Sequence, residues 1–241
     1  MKNIQFDFYF FKKINNTNDE IKKIFNSSSK KTNIALFSEI QLMGRGRTNK
    51  KWHSSFGDLT CSFLINKNYP VDKLGQINLW ILSKLFDVLK KNHPLIDFKI
   101  KWPNDIYYKE KKLAGVLIET NIKKNLASNI IFGIGINCLS TPNNIDYPSI
   151  SISQFSNNKD PLNLFIDLSK KIDSSLDDFK NIELMECDQN FMSNFKDIGQ
   201  KIKVKVCNEI IEGKFLEINK YGHLILDTKN EILKIDYGDI I

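Results

Sequence analysis

The spacing of apolar residues changes near residue 195, and this change constrains the fold more than any other feature. Before it, strand-like runs alternate with helical patterns, including a long helix predicted from Asp72 to about Lys91. After it, short alternating runs follow one another at 202–207, 210–218, 224–227 and 232–235, which is typical of a small barrel. We therefore predict an α+β chain with a first domain at 1–194 and a C-terminal domain at 195–241.

The remaining elements of the first domain follow from the same periodicities. Thr17 and Glu20 have capping-box spacing at a helix start, and Asp160-Pro161 places proline at the first position of another helix. Helices are predicted at 17–26, 160–179 and 183–194. Strands are predicted at 4–11, 33–38, 59–65, 98–102, 105–108, 113–119 and 129–138, with a long loop at 41–58.

The two arginines of the chain are unusual in their placement. The chain has 35 basic residues, but the only arginines lie together in Gly44-Arg45-Gly46-Arg47. Lysine serves everywhere else, so charge alone does not explain this segment. A guanidinium is a planar fork that can grip a carboxylate or a phosphate at two points, whereas an ammonium is a point charge. Because the flanking glycines allow close backbone approach, we predict a loop that binds an anionic small molecule.

Charge and cysteine content exclude several other classes. The net charge is +7, but the lysines are dispersed, which favours a solvated basic surface over a nucleic-acid site. No apolar run is long enough to span a bilayer. The cysteines are far apart with no CxxC pair, so they predict free thiols in a reducing cytoplasm and no zinc site. They are Cys61, Cys138 and Cys207, expected to be buried in strands, and Cys187.

Three short segments carry the candidate chemistry. They are Gly44-Arg45-Gly46-Arg47 with Trp52, Lys101-Trp-Pro-Asn-Asp105 followed by Lys112-Leu-Ala-Gly115, and Gly133-Ile-Gly-Ile-Asn137. Singly, each has a plain structural explanation, such as a turn or tight packing between strands. In this order and spacing they resemble the biotin protein ligase family, also called biotin–acetyl-CoA-carboxylase ligase. The resemblance covers essentially the whole chain.

The resemblance implies a fold and a reaction. The fold is a mixed sheet with helices, related to class II aminoacyl-tRNA synthetases, followed by an SH3-like barrel. The reaction uses biotin, ATP and Mg²⁺ to form biotinyl-5′-AMP and then biotinylates one lysine of a biotin carboxyl carrier protein domain. The resemblance leaves open whether the chain forms a homodimer. Since the first strand begins at Ile4, we expect no N-terminal helix-turn-helix domain and no sequence-specific DNA binding.

The resemblance also implies roles for individual residues. Joining a carboxylate to a phosphate brings two anions together, so fixed positive charge is needed between them. Arg45, Arg47 and Lys112 match that charge, and Asp105 joins Lys112 at the reaction centre; the sequence leaves the ligands of Mg²⁺ unassigned. The binding positions, by ligand part, are Asn16, Thr17, Asn18 and Gln41 for the ureido ring, Gly44 to Arg47 for biotin and its acyl phosphate, Lys50 as a basic loop position, Trp52 for adenine, Gly115 and Gly133 as pocket walls, and Asn137 near the adenylate.

Some positions depart from the family pattern, and other functions stay open. Asn16 stands where serine is common, and Leu42-Met43 are expected to tighten the pocket wall. Lys101 ranks below Lys112 as the catalytic lysine. The alternatives are a lipoate or octanoate ligase of the same general fold, a nucleic-acid-binding protein, and a biotin-binding module without catalytic activity.

Overall fold

The computed structural model describes residues 5–142, 147–180 and 189–241. Its strands are β1 (Phe6–Phe11), β2 (Asn33–Ser38), β3 (Gly44–Arg45), β4 (Lys51–Trp52), β5 (Leu59–Pro70), β6 (Lys99–Lys101), β7 (Asp105–Tyr108), β8 (Lys111–Lys123), β9 (Leu126–Ile136), β10 (Lys201–Val206), β11 (Glu209–Ile218), β12 (Leu224–Asp227), β13 (Ile232–Ile235) and β14 (Asp239–Ile240). Its helices are α1 (Thr17–Ser27), α2 (Leu74–Asn92), α3 (Pro161–Ser174), α4 (Leu176–Lys180) and α5 (Gln189–Met192).

The larger sheet is mixed, as predicted. Its strand order is β1-β2-β5-β9-β8-β7-β6, with β1 and β2 parallel and the other neighbours antiparallel. The register places Gly115 of β8 opposite Gly135 of β9, and Ser62 of β5 opposite Gly133 of β9. Small residues of three neighbouring strands therefore meet at the middle of the sheet.

Each face of this sheet is covered by different helices. Successive residues of β5 point to opposite faces, and Phe63 packs in the main core with residues of α2 and α3. Its neighbour Leu64 packs with Ile21 and Phe25 of α1. The apolar face of α1 is thus anchored on one side of the sheet. The start of α1, with its polar residues, lies where the small residues of β8 and β9 are exposed to a cavity.

The C-terminal strands form an antiparallel sheet of five strands, in the order β13-β12-β11-β10-β14. The fifth strand, Asp239–Ile240, has two residues and was not predicted, because so short a run has no visible alternation. This sheet packs closely on the first one. The indole Nε1 of Trp102 donates to the Gly222 carbonyl at 3.0 Å, and a Cβ on Gly75 would lie 2.2 Å from the Tyr221 carbonyl oxygen. The division at residue 195 itself stays a prediction.

Helix starts differ from the sequence expectations at two places. Asn16, and not Thr17, caps α1, because its side chain accepts from Asn18 N at 2.9 Å and from Asp19 N at 3.2 Å. Asp72 lies in a short 3₁₀ turn before α2, which has no side-chain cap.

The start of α3 agrees with the sequence expectation, since Pro161 is its first residue and Asp160 accepts from Leu162 N at 2.8 Å. Cys61 and Cys138 are buried as expected, but Cys207 follows the end of β10 and is exposed. Cys187 and residues 183–188 of the predicted short helix lie outside the described residues. None of the helices in the described part of the chain combines the length and apolarity that crossing a membrane requires.

Candidate active site

A cavity of about 390 Å³ opens on the face of the larger sheet that carries α1. Every predicted site residue except Gly44 and Asn137 lines it, although these residues come from segments spread between positions 16 and 133 of the chain. Further lining residues lie outside the three candidate segments of the sequence, among them Tyr107, Tyr147 and Asp239. The C-terminal sheet therefore contributes to the wall.

The ion pair of Lys112 and Asp105 lies at one end of the cavity. Lys112 Nζ is 2.7 Å from Asp105 Oδ2, and both side chains are largely buried. The ammonium also faces the rings of Trp52 and Tyr147, with its Nζ 5.6 Å and 5.1 Å from the ring centroids. Asp105 Oδ1 is buried with no hydrogen-bond partner among the described residues. The pair thus presents a held cation and a free acceptor side by side.

The other end of the cavity is lined with side-chain amides. Gln41 Oε1 accepts from Thr17 N at 2.8 Å and from Thr17 Oγ1 at 3.0 Å, whereas its Nε2 makes no hydrogen bond within the described residues. Asn18 Nδ2 is buried without a partner in the described part of the chain. Asn16 is already used, since its Oδ1 caps α1 and its Nδ2 donates to the Met43 carbonyl at 2.9 Å. Two N–H donor groups therefore remain for a ligand.

Arg45 grips carboxylates of the protein itself. Its Nη1 and Nη2 each donate to Asp19 at 2.7 Å, and its Nε donates to Glu119 at 2.8 Å. The fork geometry that the sequence suggested is present, but this structure directs it at α1 and β8. Arg45 holds the glycine loop against these two elements, and its role as a ligand contact stays a prediction.

The Arg45 cluster lowers the pKa of both carboxyl groups. At Asp19 the hydrogen bond from Arg45 is the main cause of the lowered pKa. At Glu119 burial acts to raise the pKa, but the hydrogen bonds from Arg45 and Lys22 outweigh it. A depressed carboxyl pKa adds stability above the unfolded-state pKa, and this stability is lost as the pH falls through the folded-state value.

Glu119→Gln tests this linkage. We expect a midpoint of thermal unfolding lower than that of the wild type by roughly 2–4 °C at neutral pH, the equivalent of about 1 kcal/mol for a chain of this size. The difference should shrink as the pH falls below about 4.5, because the carboxyl group is then protonated in the unfolded chain, and it should disappear once the pH has passed through the lower folded-state pKa. Thermal melts from pH 7 to pH 3 measure it. A difference that is constant over this range would contradict the assignment.

Arg47 connects the glycine loop to the C-terminal sheet. Its Nη1 donates to Asp239 Oδ1 and its Nη2 to the Gly238 carbonyl, both at 3.0 Å. The guanidinium also lies 5.0 Å from the centroid of the Tyr237 ring. These partners lie about 190 positions away in sequence, so no local pattern could predict them. The contact places the guanidinium at the cavity wall, where its side chain is 18% exposed.

The glycines of the sheet make room for side chains of the site. A Cβ on Gly135 would lie 2.4 Å from Trp52 Cε2, and a Cβ on Gly115 would lie 3.0 Å from Asp105 Oδ1. At Gly133 a Cβ would meet Asn18 Oδ1 at 2.6 Å. Trp52 thus lies flat over the sheet within the cavity wall; its predicted packing on adenine stays a prediction.

Gly135→Ala should therefore disturb Trp52. The methyl group would clash with the indole ring, so we expect the β3–β4 hairpin to move. The adenylate-forming activity that the family resemblance implies should fall by about tenfold, or ~1.4 kcal/mol. The same change in a Trp52→Ala background should cost much less, because the clash is gone. Activity of the wild type, both single variants and the double variant measures the coupling. Additive losses would show that Gly135 acts independently of Trp52.

Some expected site residues do not reach the cavity. Asn137 donates through Nδ2 to the carbonyls of Ile150 at 3.1 Å and of Lys112 at 3.4 Å, so it supports the strand that carries Lys112. Leu42 and Met43 are more than half exposed and do not line the cavity, so they do not tighten its wall. Gly44 lies in the β3–β4 hairpin, where a Cβ would be 2.5 Å from the Trp52 carbonyl oxygen.

Lys101 lies in the cavity wall, although the sequence ranks it below Lys112 as the candidate catalytic lysine. It lines the cavity, and no ion pair is formed by it within the described residues. Burial, followed by the charge of Lys196, lowers its pKa. Its position in the Lys-Trp-Pro-Asn-Asp segment was a usable signal. Tyr147, by contrast, belongs to no motif, and only the fold shows that it lies beside Lys112.

The fold and the cavity define an α+β protein with a polar cavity between a mixed sheet and a C-terminal antiparallel sheet. Residues 10–137 match the biotin/lipoate A/B protein ligase family, and residues 197–241 match the biotin protein ligase C-terminal domain. The chain therefore belongs to the biotin/lipoate A/B protein ligase family, in its biotin protein ligase branch. This confirms the resemblance seen in the sequence.

Individual relatives agree with this assignment. The bifunctional ligase/repressor BirA of Bacillus subtilis is 29% identical over 83% of this chain and 63% of its own length. BirA of Escherichia coli is 30% identical over 87% of this chain and 66% of its own length. The chain thus spans less than two thirds of these relatives. The structure of biotin protein ligase from Aquifex aeolicus in complex with biotin and ATP superposes on this chain with a TM-score of 0.80. The match covers 98% of this chain and 97% of the Aquifex chain, with 27% sequence identity.

Proposed function

We propose that the chain is a biotin protein ligase. It activates biotin with ATP to give biotinyl-5′-AMP and pyrophosphate, and it transfers the biotinyl group to one lysine of a biotin carboxyl carrier protein domain. One observation carries the proposal: a single cavity holds the Lys112–Asp105 pair at one end and unpaired amide donors at the other. The similarity to an Aquifex ligase that binds biotin and ATP supports it.

The first step needs positive charge between two anions. The ammonium of Lys112 is held by the Asp105 carboxylate and lies over two aromatic rings, those of Trp52 and Tyr147. From there it can contact the biotin carboxylate and the α-phosphate together and stabilise the charge that develops as the pentavalent phosphorus forms. At the opposite end, Asn18 Nδ2 and Gln41 Nε2 offer two donors to the ureido oxygen.

The second step needs an acceptor for a proton. An incoming lysine must lose its proton before its nitrogen can attack the mixed anhydride. The unpaired Oδ1 of Asp105 is the buried acceptor beside Lys112, so it can orient the amine and help to remove that proton. AMP then leaves as the amide bond forms.

Magnesium enters this scheme with the triphosphate. Mg²⁺ typically takes one or two carboxylates together with phosphate oxygens and water. The described residues contain no group of three or more His, Cys, Asp or Glu side chains that could hold a metal ion by itself. Asp105 Oδ1 fits a single carboxylate ligand to a nucleotide-bound ion, which would offset the triphosphate charge.

The polarity of the amide end favours biotin over lipoate. A dithiolane ring has no oxygen to accept from Asn18 and Gln41, so lipoate would leave the buried Asn18 Nδ2 unpaired and would make no hydrogen bond with Gln41 Nε2. The dispersed lysines give no comparable support for nucleic-acid binding. We place the activity in the cytoplasm, in keeping with the buried free thiols of Cys61 and Cys138.

An acceptor-labelling assay tests the proposed function. The protein is incubated with Mg·ATP, a purified carrier domain, and either biotin or lipoate, with a lipoyl domain as the second acceptor. We expect a mass increase of one biotinyl group on the carrier domain and no lipoylation of either acceptor. Lipoylation in place of biotinylation would assign the chain to the lipoate branch, and ligand binding without ATP consumption would make it a binding module.

A further inference from the structure

Ser62 lies directly behind the amide end of the cavity. It is fully buried in β5, opposite Gly133 of β9. Its hydroxyl donates to Asn18 Oδ1 at 2.6 Å. Ser62 does not line the cavity, and no motif includes it.

This bond decides which atom of Asn18 is left for a ligand. A side-chain amide can turn over about its last bond with almost no change in shape, so its partners select its orientation. A buried hydroxyl proton needs an acceptor, and Asn18 Oδ1 is the acceptor that it has here. With Oδ1 occupied, Asn18 Nδ2 is the polar atom that lacks a partner in the described part of the chain.

The surroundings give Gln41 the same polarity. Both of the bonds from Thr17 go to Gln41 Oε1, so its Nε2 is left over as well. The site therefore offers two N–H donor groups, one from each side-chain amide, and is matched to an oxygen with two lone pairs. A ligand that brings an N–H to the same place would face two donors and find no acceptor.

We propose that Ser62 is a positioning residue that fixes the Asn18 amide as a donor and thereby makes the site specific for a urea-type carbonyl oxygen. The inference rests on the proposed function, because that function supplies biotin as the ligand. Without the serine hydroxyl, the Asn18 amide can turn over and present Oδ1. The site would then also accept a ligand that presents an N–H in place of the oxygen. The preference for the oxygen ligand would fall by roughly tenfold to a hundredfold.

The test uses a ligand pair that differs at this one atom. In 2-iminobiotin an imine nitrogen replaces the ureido oxygen, and its protonated form carries only N–H donors there. Calorimetric Kd values for biotin and 2-iminobiotin give a selectivity ratio for each variant. The wild type should prefer biotin strongly. Ser62→Ala should lower the selectivity for biotin over 2-iminobiotin at least tenfold. It should raise the KM for biotin and leave the kcat of adenylation largely unchanged.

Two further variants keep the result interpretable if Ser62→Ala folds poorly. Ser62→Thr keeps the hydroxyl donor and should restore the wild-type ratio. Asn18→Asp keeps one oxygen for Ser62 and turns a second oxygen towards the ligand, so it should favour 2-iminobiotin. Ser38→Ala is the matched control: Ser38 is equally buried on the neighbouring strand β2, and its hydroxyl donates to the Ile40 carbonyl. Its ratio should equal that of the wild type.

The outcomes separate this inference from the proposed function. A wild-type protein that binds no biotin would overturn the proposed function itself. A wild type that binds biotin, together with a Ser62→Ala variant that weakens both ligands equally, would overturn only the role of Ser62. An unchanged preference for biotin in Asn18→Asp would overturn the assigned orientation of the amide.

Discussion

Lys112→Ala is expected to lower the rate of biotinyl-adenylate formation by a factor on the order of 10²–10³. The ammonium lies in the cavity 2.7 Å from Asp105 and 5.6 Å and 5.1 Å from the ring centroids of Trp52 and Tyr147, so its position is held before any ligand binds. A donor that is already in place costs no reorganisation when charge develops on the phosphoryl oxygens. Loss of Lys112 also leaves the buried Asp105 carboxylate without its ion pair.

Lys101→Ala is the matched comparison for this prediction. Lys101 lines the same cavity and is also partly buried, but it forms no ion pair with Asp105 in the described residues. Pyrophosphate release by both variants in one assay, with saturating biotin and Mg·ATP, gives the ranking. We expect the larger loss for Lys112→Ala. The reverse order would mean that the catalytic lysine has been assigned to the wrong strand.

Arg47→Lys is expected to lower adenylation by roughly tenfold to a hundredfold although it keeps the charge. The guanidinium bonds Asp239 and the Gly238 carbonyl through different nitrogens and lies over Tyr237. One ammonium cannot reproduce a planar fork with this reach. The loop would then lose its connection to the C-terminal sheet, and the contact with an anionic ligand that the sequence predicts for Arg47 would be lost as well.

Asp239→Asn separates these two losses. The asparagine keeps an acceptor for Arg47 and removes only the charge, so we expect a smaller decrease than for Arg47→Lys. Initial rates of pyrophosphate release at varied ATP concentrations measure both variants. Near-wild-type rates for Arg47→Lys would show that charge suffices and would refute the argument from guanidinium geometry.

Regular elements of the fold could be predicted because their signals are local. The strands Leu224–Asp227 and Ile232–Ile235 fall where the alternation placed them, and Asp160 caps α3 as its neighbouring proline suggested. The cap of α1 was misplaced by one residue because Asn16 and Thr17 are both good capping residues. The predicted start of α2 at Asp72 was wrong because a 3₁₀ turn at Val71–Lys73 precedes the helix.

The candidate site was predictable only as far as its motifs extend. The motif residues Lys112 and Asp105 meet in one ion pair. The residues that orient them or their neighbours carry no local signal, because they come from distant strands. Glu119 holds Arg45 and Ser62 holds Asn18, and each is an ordinary residue in its own strand. Their roles come from the register of the sheet, which the sequence does not show.

The central claim is that this cavity joins biotin to AMP. The direct measurement is a single incubation of the purified protein with biotin and Mg·ATP and without any acceptor, followed by mass spectrometry of the bound ligand and an assay of released pyrophosphate. The account predicts about one biotinyl-5′-AMP per protein and an equal amount of pyrophosphate, both dependent on biotin and both strongly reduced by Lys112→Ala. Binding of biotin and ATP with no pyrophosphate released would contradict it.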